Sequence, residues 1–215
     1  MSAFVMQGSE SVISLCFNSS LLQYGGDLAV GAMTILSSVM QFAMLPLQGI
    51  AQGAQPISSY NFGAGNRERV SRTFRLLLRS SLVYSFGLWA LVQLFPGAFA
   101  GLFTNDAALL AFTAKALRVY CGALCLFGAQ IACQMTFVST GNAVCSIIVA
   151  ILRKFVLLIP LIYLMPQLVS NQVMGVYMAE PVADVIAVTF TAILFSHQFR
   201  KSMTALEQEA KQQGA

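Results

Sequence analysis

Six stretches of mainly apolar residues, each about 20 residues long, constrain this sequence more than any other feature. A helix that crosses the hydrocarbon core of a bilayer needs about 20 such residues. The stretches are 3–22, 28–48, 76–95, 119–138, 144–165 and 173–196. Between them lie short segments with turn-forming residues, such as Tyr24-Gly-Gly-Asp27 and Thr140-Gly-Asn142. The sequence therefore predicts an all-α integral membrane protein, with six transmembrane helices over 1–199 and a tail over 200–215.

Composition argues against the soluble classes of protein. Charged residues make up 9% of the 215 residues, whereas soluble domains carry about 25%. The net charge of +4 is dispersed along the chain, unlike the clustered basic face of a nucleic-acid-binding protein. The sequence has no HExxH or GxSxG motif, so an enzyme is not expected. The five cysteines lie in apolar stretches without CxxC spacing, so we expect no metal site and no cofactor other than a coupling ion.

The distribution of Lys and Arg predicts the orientation in the membrane, because short cytoplasmic loops retain an excess of them. Most of them fall near the second connection and in the tail: Arg67, Arg69, Arg72, Arg75, Arg79, Arg200, Lys201 and Lys211. The opposite side has only Lys115 and Arg118. We therefore expect a multi-pass protein of the cell membrane with both termini in the cytoplasm. Arg72, Arg75 and Arg79 recur at helical spacing, and either contact anionic lipid headgroups or serve only as a topology anchor.

Polar residues recur every three or four positions along four of the six stretches. Positions that face lipid are apolar, so such a stripe marks a helix face that is turned toward protein or water. The resulting candidates for a substrate cavity are Gln7, Ser14, Asn18, Gln41, Gln130, Gln134 and Tyr177. Hydrogen bonds between helices are the alternative role for any one of them. Together the stripes predict a helical bundle with a polar interior.

Three acidic residues, Glu10, Glu180 and Asp184, lie well inside the apolar stretches. A charge at the middle of a bilayer costs at least about 2.5 kcal/mol on insertion scales, so each needs a partner, a proton or a wet cavity. Glu180 and Asp184 are one helical turn apart, and such a pair can exchange a proton or hold a small cation. Arg153 and Lys154 are the natural charge partners. Cation or proton coupling and structural ion pairing are both open for these acids.

Two further patterns predict departures from straight spans. Pro46, Pro160 and Pro181 are expected to interrupt helices and to leave backbone carbonyls free beside the polar stripes. The segment 105–118 is amphipathic and precedes the fourth stretch, so we expect it to lie in the membrane interface.

The stretch from Pro46 to Val70, PLQGIAQGAQPISSYNFGAGNRERV, closely resembles the multidrug and toxic compound extrusion (MATE) family. Weaker matches follow in the same order and spacing as in that family: Tyr24-Gly-Gly-Asp-Leu-Ala-Val30, Ser139-Thr-Gly-Asn142, the segment 151–160 and Glu180-Pro-Val-Ala-Asp184. Members of the family have twelve helices in two lobes of six. The resemblance implies that these six helices form the second, carboxy-terminal lobe.

By resemblance, such a protein exports cationic or amphipathic small molecules in exchange for sodium ions or protons, by rocker-switch alternating access. One branch of the family binds the coupling cation with an acid in helix seven, and Glu10 lies in the corresponding region. That branch also uses an acid in helix ten, where this sequence has Gln130 and Gln134 instead. The implied partners are membrane lipids, the transported molecules, and an amino-terminal lobe or a second copy of the chain. The alternatives are a truncated fragment without transport activity and a lobe of a related lipid or metabolite exporter.

Overall fold

The chain is described here by a computed structural model, which covers the backbone of residues 2–213 and the side chains of 10–142, 144–202 and 204. Over those residues the regular structure is entirely helical. The helices are α1 (Ser2–Gly63), α2 (Arg67–Leu94), α3 (Pro96–Gly101), α4 (Ala107–Tyr120), α5 (Phe127–Ser139), α6 (Ala143–Ile151), α7 (Ile159–Leu168) and α8 (Gln172–Gln213). A 3₁₀ turn, Leu124–Leu126, precedes α5, and a π-helix, Leu152–Leu158, joins α6 to α7.

Several helices are long and apolar enough to cross a membrane. Within the described residues there are four of them: Glu10–Gly63, Arg67–Leu94, Val144–Leu168 and Gln172–Ser202. Ala107–Tyr120 and Leu124–Ser139 are together long and apolar enough as well, with a bend of 44° between them. The pair would be a fifth if it forms a single span. These lengths and hydropathies, together with the relatives described below, make the chain a multi-pass membrane protein. A count of six spans requires α1 to cross twice.

The length of α1 agrees with two crossings. Its apolar part, Glu10–Gly63, has 54 residues and would extend about 80 Å as one straight helix, against a hydrocarbon thickness of about 30 Å. At Gly26 the backbone has φ 61° and ψ −159°, so α1 is kinked there. Glycine adopts a positive φ without the strain that a β-carbon would cause. The turn predicted at 24–27 is thus a kink at one glycine, with helix directly on both sides. The kink divides α1 into a first segment before Gly26 and a second segment after it.

The sequence predicts one continuous helix over the fourth apolar stretch, 119–138. In the structure that helix is interrupted. Helix ends at Tyr120 and resumes in the 3₁₀ turn at Leu124. Two side chains of α2 bind the carbonyls that this break exposes. Trp89 Nε1 donates to the Gly122 carbonyl at 3.0 Å, and Gln93 Nε2 donates to the Arg118 carbonyl at 2.9 Å.

The segment 105–118 also differs from the prediction. It forms most of α4, which packs against α1 and α8 and buries Thr113, Ala116 and Leu117. It therefore belongs to the core of the bundle, where it forms a pair with α5 that is bent by 44°.

Two of the three prolines that were expected to interrupt helices lie inside continuous ones. Pro46 is within α1 and Pro181 is within α8. Only Pro160 adjoins a change of helix type, since it follows the π-helix. Proline has no N–H to donate to the carbonyl four residues earlier, and the i→i+5 pattern of a π-helix offers that carbonyl the next N–H instead.

Small residues allow the helices to approach closely. A β-carbon at Gly128 of α5 would overlap the Ser81 carbonyl of α2. One at Gly175 of α8 would lie 2.9 Å from the Met165 carbonyl oxygen of α7. Such contacts are typical of membrane helices, which associate through backbone packing rather than through a hydrophobic effect.

Gly128→Ala is expected to destabilise the protein, because the added methyl group must push α5 away from α2. Overpacking of this kind costs about 1–3 kcal/mol. The matched control is Gly87→Ala in α2, where a β-carbon meets nothing within 4 Å. Thermal unfolding of the detergent-solubilised variants measures the difference. Equal unfolding temperatures for the two variants would contradict this account of the α2–α5 contact.

Candidate functional site

Arg153 joins two carboxylates of α8 inside the bundle. Its Nε donates to Asp184 Oδ1 at 2.6 Å, and its Nη2 donates to Glu180 Oε1 at 2.9 Å. The Asp184 side chain is only 2% exposed and that of Glu180 is 10% exposed. The two acids are four residues apart on α8, so one face of the helix presents both to a single guanidinium group. The pairing offsets the cost of placing charges in an apolar environment.

An aromatic ring completes the surroundings of Arg153. The guanidinium carbon lies 4.9 Å from the centroid of the Phe127 ring, at the start of α5. A cation over the face of an aromatic ring is attracted to its π electrons, and more strongly where water is excluded. Arg153 is therefore held by α5 as well as by α8.

Lys154 and Glu10 form a second ion pair beside the first. The Lys154 ammonium contacts Glu10 Oε1, and 60% of the Glu10 side chain is exposed. The pair connects the π-helix to the first segment of α1. The exposed carboxylate lies at the open edge of the cluster, whereas Asp184 lies at its closed end. We call these five residues, Glu10, Arg153, Lys154, Glu180 and Asp184, the charge cluster.

The π-helix explains how two consecutive residues serve two partners. Arg153 and Lys154 both lie in its first turn, within Leu152–Leu158. A π turn is wider than an α turn, and such turns recur at functional sites. Here the turn directs Arg153 to α8 and Lys154 to α1.

A cavity of about 110 Å³ adjoins the charge cluster. Its lining residues are Glu10, Ile13, Ser14, Phe17, Met33, Ser37, Tyr120, Arg153, Lys154, Leu158 and Glu180. The volume is well above the roughly 10–15 Å³ that one water needs, and far below the roughly 300–1,000 Å³ of a drug-sized pocket. The cavity can therefore hold water or a small cation beside the carboxylates. Among the described residues, no group of three or more His, Cys, Asp or Glu side chains is arranged to hold a metal ion.

The structure brings some of the predicted cavity residues to this site and not others. Ser14 lines the cavity. Tyr177 is buried outside it and donates from its hydroxyl to the Ala29 carbonyl at 2.8 Å. Asn18 and Gln134 are half-buried, and Gln41 is exposed. Gln130 is buried, and its Oε1 has no hydrogen-bond partner among the described residues. The side chain of Gln7 lies outside the described residues.

Sequence patterns missed several residues that line the site. Ser37 carried a usable signal, because it lies three residues after Thr34 on a polar stripe of α1. No sequence signal identified Phe17, Met33 and Phe127, because an apolar residue at the site looks the same in the sequence as an apolar residue elsewhere in the core. Tyr120 is buried against Tyr177, with ring centroids 6.5 Å apart. Its position depends on the break after α4, which the sequence did not predict.

The family model MatE matches residues 3–164 of this chain. The chain belongs to the MatE family. This confirms the family that the motif at 46–70 indicated. The family consists of transporters, in agreement with the expectation that the chain is not an enzyme.

Several curated relatives are multidrug export proteins called MepA. That of Staphylococcus saprophyticus is 26% identical over 194 residues, which is 89% of this chain and 42% of the relative. That of Staphylococcus aureus strain bovine RF122 is 28% identical over 163 residues, or 76% of this chain and 36% of the relative. The chain thus spans less than half the length of the relatives it matches.

Solved structures show the same fold. An outward-facing multidrug resistance MATE family transporter of the MOP superfamily is 20% identical, with a TM-score of 0.83 over 95% of this chain and 45% of that one. An inward-facing form has the same identity and score over 93% and 45%. A MOP superfamily transporter from Pyrococcus furiosus is 19% identical, with a TM-score of 0.83 over 94% and 45%. At these identities the likeness establishes the fold alone.

Arg153→Met is expected to destabilise the protein by about 3–5 kcal/mol, because it leaves two buried carboxylates without a counter-charge. The triple variant R153M/E180Q/D184N is expected to recover much of that loss, since it contains no unpaired buried charge. Arg79→Met, at an exposed arginine of α2, is the control and should change stability by less than about 0.5 kcal/mol. Thermal unfolding in detergent gives the comparison. If R153M unfolds at the temperature of R79M, the ion pairs do not stabilise the bundle.

Proposed function

We propose that this chain is the carboxy-terminal six-helix lobe of a multidrug exporter driven by cation antiport. In this proposal α1 crosses the membrane twice, on either side of Gly26, and the bent α4–α5 pair crosses once. With α2, the α6–α7 unit and α8, that makes six spans. The excess of Lys and Arg near the start of α2 and in the tail supports a cytoplasmic position for both termini of the lobe.

The observation that carries the proposal is the charge balance of the cluster. Three carboxylates, Glu10, Glu180 and Asp184, face only two cationic side chains, Arg153 and Lys154. With every group ionised the cluster has one negative charge in excess. In an apolar environment such an excess attracts one monovalent cation, either a proton or a sodium ion. The adjoining cavity gives that cation a place beside Glu180.

This arrangement suggests how a cation could bias the conformation. Glu180 shares the Arg153 guanidinium group with Asp184. A cation bound at Glu180 weakens its bond to Arg153, and the guanidinium group then interacts chiefly with Asp184. Such a ligand shifts a conformational equilibrium only if one state binds it more tightly, which is the requirement for coupled alternating access. The rocker-switch form of that motion is part of the proposal.

The transported molecule needs a different location, because the cavity is too small for a drug. The second segment of α1 offers an exposed polar stripe, formed by Thr34, Gln41, Gln48, Gln52 and Ser59. Amide groups that face lipid have no hydrogen-bond partner there and are costly. We propose that an amino-terminal lobe or a second copy of the chain covers this stripe. Amphipathic or cationic substrates would pass between the two lobes.

Asp184→Asn and Glu180→Gln are expected to abolish the part of dye efflux that depends on a proton or sodium gradient. Each change removes the excess negative charge that binds the coupling cation. Efflux is measured in membrane vesicles from cells that express the natural gene product, with an imposed pH gradient in one series and a sodium gradient in the other. The series in which efflux responds identifies the coupling ion.

Asp27→Asn and Glu68→Gln are the matched controls, because both acids are exposed and lie outside the charge cluster. They should export the dye at the rate of the unmodified protein. Gradient-dependent efflux that survives in a correctly inserted D184N/E180Q double variant would overturn the coupling role. The two acids would then be structural partners of Arg153.

A further inference from the structure

Three arginines of α2 form a row on the outside of the bundle. Arg72, Arg75 and Arg79 are all exposed, and they follow one another at i, i+3 and i+7 along the helix. The residues that α2 buries are Val70, Leu77, Ser81, Ser85 and Val92. Helical periodicity places these buried residues on the opposite side of the helix. The three arginines therefore face away from the lobe.

Exposed apolar residues continue the same row. Leu76, Val83 and Phe86 are 60%, 74% and 54% exposed. With 3.6 residues per turn, they and the three arginines lie within an arc of about 100° around the helix axis. Arg79 lies between two of them, three residues after Leu76 and four before Val83. The set, which we call the basic-apolar face, consists of Arg72, Arg75, Leu76, Arg79, Val83 and Phe86.

The arginines of this face have no acidic partner within the described part of the chain. No carboxylate there lies within ion-pair distance of Arg72, Arg75 or Arg79. Arg75 donates from Nε to the Ser71 carbonyl at 3.3 Å, which leaves its Nη atoms for another acceptor. Glu68 lies on the same side of the helix, one turn before Arg72, and lowers the local charge without pairing. The face therefore keeps a net positive charge, which attracts an anion from outside the chain.

The depth of these residues distinguishes a phospholipid from a soluble anion. The helix rises about 33 Å from Arg72 to Leu94, its last residue, but only about 22 Å from Arg79 to Leu94. When Leu94 lies at the far edge of a hydrocarbon core of about 30 Å, Arg72 lies at the near edge and the backbone of Arg79 lies inside. An arginine at that depth extends its side chain back toward the headgroups. A lipid supplies a phosphate there and also covers Leu76 and Val83 with its acyl chains, which a soluble anion cannot do.

We infer that the basic-apolar face binds an anionic phospholipid, with its phosphate at the three arginines and an acyl chain along Val83 and Phe86. Of the two roles that the sequence left open for these arginines, this is contact with anionic headgroups. A protein partner would have to bring carboxylates to the edge of the hydrocarbon core, where anionic lipids already supply the negative charge. The inference requires only that α2 crosses a membrane, and so it stands apart from the proposed transport activity.

The R72Q/R79Q double variant is expected to lose selectivity for anionic lipid. The natural gene product is purified in detergent and mixed with equal amounts of phosphatidylglycerol and phosphatidylcholine that have the same acyl chains. Native mass spectrometry counts the retained lipid. The unmodified protein should retain phosphatidylglycerol in preference, and the double variant should reduce that preference roughly tenfold. K115Q/R118Q removes the same charge from exposed positions of α4 and should keep the preference. Equal losses in the two variants would overturn the inference, because the effect would then be one of net charge.

A second pair of variants tests the acyl-chain contact without altering the charge. V83S/F86S should lower the preference for phosphatidylglycerol, whereas V185S/I186S, at exposed apolar positions of α8, should leave it unchanged. Glycerophosphoglycerol, which has the same headgroup without acyl chains, should not displace the bound lipid. Full displacement by it, or an unchanged preference in V83S/F86S, would show that an anion binds here without its acyl chains and that the inference is wrong.

A protein occupant gives a different result in the same experiment. R72Q/R79Q would then keep the preference for phosphatidylglycerol and would lose a protein chain that copurifies with the unmodified protein. That outcome would also overturn the inference, because the basic-apolar face would be a contact between proteins.

Discussion

The pairing of one arginine with two carboxylates determines how the interior of this bundle can be arranged. An unpaired charge within the bilayer is costly, and an isolated ion pair with poor geometry is costly as well. Arg153 bonds Asp184 and Glu180 through different nitrogens, so α8 can occupy only one register against the π-helix. Lys154 then meets Glu10, which places the first segment of α1 beside the same turn. Three separate parts of the chain are thereby fixed around a single site.

The irregular points of the helices are held in a similar way, by side chains from their neighbours. Backbone groups that lose their helical partners need another partner where water is absent. Near the kink at Gly26, the Tyr177 hydroxyl of α8 adds a hydrogen bond to the Ala29 carbonyl, three residues further along α1. Trp89 and Gln93 of α2 do the same for the break between α4 and α5. At each irregular point a side chain therefore connects two helices. These hydrogen bonds stabilise the kink and the break within the bundle.

The ion pairs of this structure were predictable from sequence, because they follow from the high cost of placing a charge in a membrane without a partner. A buried acid in a membrane needs a counter-charge, and the sequence contains only Arg153 and Lys154 at a suitable depth, so the ion pairs followed from composition and position. The turn at 24–27 was predictable because Gly25 and Gly26 permit it. The break after Tyr120 was not, because it depends on Trp89 and Gln93 of another helix to bind the exposed carbonyls. The π-helix had a local cause in Pro160, but proline alone does not distinguish a π turn from a kink.

The second segment of α1 borders both polar regions of the lobe. Met33 and Ser37 line the cavity beside the charge cluster, whereas Thr34 and Gln41 are exposed on the polar stripe. Ser37 and Gln41 are one helical turn apart, and Met33 and Thr34 are adjacent in sequence, so the cavity and the stripe border on each other around this helix. The Gly26 kink and Pro46 lie on either side of these positions. In the proposed function, a cation that changes the packing of Met33 and Ser37 would therefore act on the adjoining stripe through a single helix, and coupling between the two sites would need no longer route.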